Sequence, residues 1–153
     1  MDSQCQSITV ITPEYPPDIG GVSYFSEILA KGLASEKAGI WVISSSSAKS
    51  CLEDPVRVFA YPGIFKINSL IKLDGLLNKV PGLSTLFLQW VPHGYGYKSL
   101  NVPFIFWLIW RVLVKRNPLW LMVHEPFLAF RGSFKVKIAA AIHLSLIHIS
   151  EPT

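Results

Sequence analysis

Cysteine is scarce in this chain: Cys5 and Cys51 are the only two among 153 residues. They form no CxxC and have no histidine at a metal-ligand spacing, so neither a zinc module nor a disulfide-stapled fold is expected. Both read as reduced thiols, as in a cytosolic protein. Charge is sparse too, at 16% of residues with a net +4. No dense lysine or arginine run occurs, so no nucleic acid partner is expected; the mild basic balance suits phosphates or an anionic lipid surface. The opening residues carry no basic segment followed by an apolar one, so no signal peptide is expected. The most apolar stretch, residues 102–114, is interrupted by Arg111 and falls short of the roughly 20 residues a spanning helix needs.

Two familiar nucleotide loops are missing. There is no GxGxxG, because the run reads Gly20-Gly21-Val22-Ser23-Tyr24-Phe25. The second expected strand ends in serines 44–47 rather than in the acid that an NAD ribose requires. No GxxxxGK[ST] is present, which excludes a P-loop NTPase.

What is present is a chain that is half hydrophobic. That composition predicts a packed domain and one core. Short β-branched or apolar runs at 7–12, 40–44, 56–61, 85–90 and 119–124 read as strands. Apolar residues at Val22, Phe25, Ile28, Leu29 and Leu33 share one face of a helix over 22–34. Further helices are expected at 65–77, at 103–115 with a proline in the first turn, and at 133–142. Strands alternating with helices predict an α/β fold, a Rossmann-like and mainly parallel sheet with helices on both faces. The 102–114 helix is expected in the core. It has no basic face, which weighs against its alternative role in peripheral membrane contact.

Residues 144–153, LSLIHISEPT, resemble a translated sequencing adapter. The expectation is that residues 1–143 are one natural domain, that 144–153 are an artefact, and that the natural protein continues past about His143. Without that tail the basic balance stands, because Glu151 is its only charge.

In open parallel sheets ligands bind outside the carboxyl ends of the strands. The loops at 13–21 and 92–97 and the His124-Glu125-Pro126 segment all fall there. Gly20 and Gly21 stand at a helix N-terminus, where free amides and the dipole favour an anion. The alternative is a tight turn that needs glycine for shape alone. His124, His93 and Glu125 are candidate substrate contacts; each has a structural alternative as a solvated, capping or backbone-satisfied side chain. Asp18 reads as a turn or capping residue.

The stretch ITPEYPPDIGGVSYFSEILAKGLA resembles the opening of glycosyltransferase family 4, the retaining enzymes of the two-domain GT-B type. VHEPF, at 123–127, is similar to the family's His-Glu-Pro segment. LQWVPHGYG, at 88–96, is more loosely similar to a Gln-Tyr-x-Pro segment, with Trp90 in place of the tyrosine. The resemblance implies that Gly21, with Gly20, lies against the diphosphate of a nucleotide-sugar donor, and that His124 lies beside the donor sugar at the reaction centre. It implies transfer with retention to an acceptor that is a glycan, a lipid-linked molecule or a small molecule, with no metal and no other cofactor. It also implies a missing C-terminal domain, so that this chain alone has little turnover, in a cytoplasmic enzyme that is soluble or peripheral at the membrane. The rival reading is a non-catalytic Rossmann-like module that binds a nucleotide or another anion.

Overall fold

A computed structural model of the chain describes residues 7–35, 39–47, 50–52, 55–92, 94–95 and 101–124. Among these residues, five strands form one parallel sheet: β1 (Ile8–Thr12), β2 (Ile40–Ser44), β3 (Val56–Ala60), β4 (Thr85–Trp90) and β5 (Leu119–Val123). Their order is β3-β2-β1-β4-β5. The chain therefore steps outward from β1 to β3, returns across β1, and steps outward the other way. The reversal lies between β1 and β4, and an open α/β sheet leaves a crevice at the carboxyl ends of such a pair. This is the α/β, Rossmann-like architecture expected from the sequence.

Side-chain alternation divides the core into two layers. Ile11, Ile43, Leu86, Leu88 and Trp90 point to one face, where they pack with Leu73 and Leu77 of α2 (Leu70–Leu77) and Phe104 and Trp107 of α3 (Val102–Leu113). Val10, Val42, Val58 and Phe87 point to the other, under Ala30 and Leu33 of α1 (Gly21–Ser35). Both faces of the central strands are thus covered, which explains their near-continuous apolar runs.

Three expectations need correction. The helix expected at 65–77 begins only at Leu70, after a 3-10 turn at Ile67–Ser69. Ile64 and Phe65 are buried in successive tight turns, Ile64 N–H donating to the Tyr61 carbonyl and Lys66 N–H to that of Gly63. Their apolar character reflects burial in those turns. The 102–114 segment is helical, but its burial is one-sided: Phe104, Trp107, Leu108 and Arg111 face inward. Among the described residues, Phe106, Leu113 and Val114 are more than 60% exposed. Arg111, expected as an interruption, lies on the buried stripe because α2 supplies Asp74 to meet it. The helix expected at 133–142 and the tail at 144–153 lie outside the described residues.

Candidate functional site

The loop from β1 folds back on itself before α1 starts. Thr12 Oγ1 donates to the Glu14 carbonyl at 2.9 Å, and Asp18 N–H closes a turn onto the Tyr15 carbonyl at 3.1 Å. The Pro16–Pro17 peptide within it is cis. Tyr15 is buried against the α1 layer, and burial raises its phenol pKa first, with the Glu27 carboxylate and Cys51 adding to the shift. Asp18 is the turn residue expected of it and also a cross-link: its carboxylate accepts the Ser47 hydroxyl at 2.7 Å. The other serines after β2 serve local structure as well. Ser45 Oγ accepts from Gly63 N–H and Ser44 Oγ from Ser46 N–H.

The two glycines differ. A Cβ on Gly20 would stand 2.5 Å from Glu14 Oε2, the far end of a flexible side chain that can turn aside. A Cβ on Gly21 would meet nothing within 4 Å among the described residues, and its φ is not positive. Neither glycine has a positive φ, so the tight-turn explanation requires neither, and only Gly20 has a neighbour to displace. Gly21 is exposed at the first position of α1, where amides lack helical acceptors. Two residues on, Ser23 is fully buried, and its Oγ has no partner among the described residues.

His124 follows directly on β5. Its backbone N–H donates to the Trp90 carbonyl at 3.1 Å, extending the parallel ladder by one residue. Strand alternation puts it on the same side as Met122, under α1. The same parity puts Thr12 of β1 and Gln89 of β4 there. Thr12 and Gln89 meet Ser26 of α1, and His124 joins them through Gln89. Gln89 is fully buried; its amide lies 2.7 Å from His124 Nε2 on one side and donates to Ser26 Oγ at 2.9 Å on the other. Ser26 Oγ lies 2.8 Å from Thr12 Oγ1 and donates to the Val22 carbonyl at 2.6 Å. One hydrogen-bonded line thus crosses three strands and reaches the first turn of α1. The imidazole also meets the Phe25 ring edge-on, with centroids 5.2 Å apart. Phe25 stands four residues after Gly21, about 6 Å along the helix axis. His124 therefore packs on α1 one turn after Gly21.

The second expected loop is partly structural. The Tyr95 ring is fully buried, stacked on Trp90 and Phe104, and its hydroxyl lies within bonding distance of the Gln89 and Ile11 carbonyls. Burial holds its phenol pKa well above the ordinary value. Gly94 is required by close approach, because a Cβ there would lie 2.6 Å from Pro13 Cβ. That contact joins the loop after β4 to the loop after β1. His93 and Glu125 lie outside the described residues.

The residues that sequence reasoning missed are Thr12, Ser26 and Gln89. A polar side chain near the carboxyl end of an otherwise apolar buried strand is the signal that marks Thr12 and Gln89. Among the described residues, no cluster of three or more His, Cys, Asp or Glu could hold a metal ion. No helix among them is long and apolar enough to cross a membrane. Compared with protein-family models, with curated proteins and with solved structures, the chain finds no match.

Proposed function

We propose that this chain is the acceptor-side, N-terminal domain of a retaining glycosyltransferase that takes its sugar from a nucleoside-diphosphate donor. The observation that carries the reading is the placement of Gly21 at the start of α1 and of His124 against Phe25, one turn further on. An exposed glycine whose Cβ would meet no described neighbour opens the first turn of α1, and a histidine packs on the next turn through Phe25.

Glycosyl transfer develops positive charge at the sugar ring and negative charge on the departing diphosphate. Amides at the start of α1, with no side chain on Gly21 to hold a ligand off, suit the diphosphate. They act on the leaving group without a metal ion. His124, a turn away, suits the sugar, where an imidazole can bind a hydroxyl. Glu125 and His93 are proposed as further substrate contacts. The proposed enzyme includes a second βαβ domain encoded beyond His143 that holds the nucleotide, so the present chain has little turnover by itself. Its proposed location is the cytoplasm, soluble or peripheral at the membrane.

The test uses the chain extended by its downstream domain. Donor hydrolysis and sugar transfer are compared for the parent, Gly21→Val and His124→Ala. Losing a transition-state contact of this kind costs about 10- to 1000-fold in kcat. Unchanged rates in both variants would remove the site assignment. A complete reading frame with no second domain, and a chain that binds a nucleotide without turnover, would favour the binding-module reading.

A further inference from the structure

We infer that Gln89 is a positioning residue: its buried amide holds His124 as the Nε2–H tautomer and leaves Nδ1 as the hydrogen-bond acceptor. The assignment follows from counting hydrogens along the buried line.

The Val22 carbonyl has no hydrogen, so the 2.6 Å contact with Ser26 Oγ requires the serine to donate. That uses the only hydrogen Ser26 has, so the 2.8 Å contact with Thr12 takes its hydrogen from the threonine, which shares it with the Glu14 carbonyl. The Gln89 group facing Ser26 at 2.9 Å must then be the amide NH2. The Gln89 carbonyl oxygen is left facing His124 Nε2 at 2.7 Å. Two acceptors at that separation repel, so Nε2 carries a proton. Gln89 is fully buried, and reversing its amide would set its oxygen against a serine whose hydrogen is committed elsewhere. Leaving such buried groups unpaired costs about 1–3 kcal/mol each. Nδ1 has no hydrogen-bond partner among the described residues.

The second ring nitrogen of a histidine takes its role from the bond the first one makes. With Nε2 committed to Gln89, a neutral His124 presents a bare Nδ1. It accepts a hydrogen from a hydroxyl and has none to donate to a phosphate oxygen. Within the transferase reading, on which this consequence rests, His124 serves the sugar hydroxyls and α1 serves the diphosphate. Ser26 acts one step further back, by fixing which way the Gln89 amide points.

The tautomer can be read without any donor. The full chain is labelled with 15N-histidine, and two-bond 1H–15N correlations are recorded with the rings neutral. The chain has four histidines, and His124 is assigned by the signal lost in His124→Asn. The expected parent signature is a protonated Nε2 and a bare Nδ1 in a single dominant form. In Ser26→Ala the amide NH2 loses its orienting acceptor, and in Gln89→Leu the ring loses its partner. Both variants should show a larger Nδ1–H population than the parent. A dominant Nδ1–H form in the parent overturns the proposal, as does a signature unchanged in both variants. Should Gln89→Leu fail to fold, the parent and Ser26→Ala spectra decide. A correct tautomer in a chain whose extended form transfers no sugar would retain this inference and sink the transferase reading.

Discussion

The guanidinium of Arg111 on α3 meets the Asp74 carboxylate on α2 at 2.9 Å, and the same nitrogen donates to Asn78 Oδ1 at 3.0 Å. Arg111 is almost completely buried and Asp74 only partly so. The pair fixes how two helices sit on one face of the sheet. Removing one partner of such a pair strands the other charge in a poorly solvated place. Asp74→Ala is therefore expected to destabilise the chain by about 3 kcal/mol. The double variant Arg111→Met with Asp74→Leu should recover most of that loss. Urea midpoints of the parent, the single and the double variants check this; a single variant as stable as the parent would show the pair to be idle.

Neither glycine of the first loop should prove essential to stability. Gly21→Ala places a methyl in open space on a helical residue, and should be neutral or stabilising by up to about 1 kcal/mol. Gly20→Ala needs only the end of the Glu14 side chain to turn aside and should change stability by no more than about 0.5 kcal/mol. Urea midpoints check both variants, and a loss above about 2 kcal/mol at either position would make that glycine a structural requirement.

Glu14 bears on the same place with its charge. Its carboxylate reaches Gly20 at the start of α1, where the site proposed for a diphosphate begins. A like charge there opposes anion binding. Glu14→Gln should tighten the binding of inorganic pyrophosphate to the chain about three- to tenfold, with the largest difference at low salt. Calorimetric titration reads the effect; equal affinities would place the anion away from this loop.

Tyr95 should leave a mark on alkaline stability. Its folded-state pKa lies well above the ordinary value of 10.0 because burial disfavours the phenolate. Below pH 10 both states hold the proton, and the full stability is present. As pH rises past 10 the unfolded chain releases the proton while the folded one retains it. Stability then falls by up to about 1.4 kcal/mol per pH unit from this group until the folded pKa is reached. Tyr95→Phe should be less stable near neutrality, where its hydrogen bonding to the strand carbonyls is lost, yet should show a shallower alkaline decline. Denaturant midpoints measured from pH 8 to 11 test the difference in slope.

The sequence by itself determined the alternation of strands and helices and the doubly covered sheet. Apolar runs at 7–12, 40–44 and 85–90 can be buried on both faces only between helices. It also determined where function should be sought, because Gly20, Gly21 and His124 each follow a strand at its carboxyl end. Period-two alternation even assigns Thr12, Gln89 and His124 to one side. Only the tertiary structure decided which of these residues meet. Ser26 and Gln89 are 63 positions apart, and Arg111 and Asp74 are 37 apart. Their meeting depends on β4 lying between β1 and β5, and on α2 and α3 sharing a face. Local pattern chooses a side chain's direction, since that is set by the backbone repeat. Its partner depends on strand order, which arises from burying both faces of the whole sheet at once. For that reason His124 stood out in the chain as a candidate, while Gln89, the residue that sets its tautomer, had to be found in the fold.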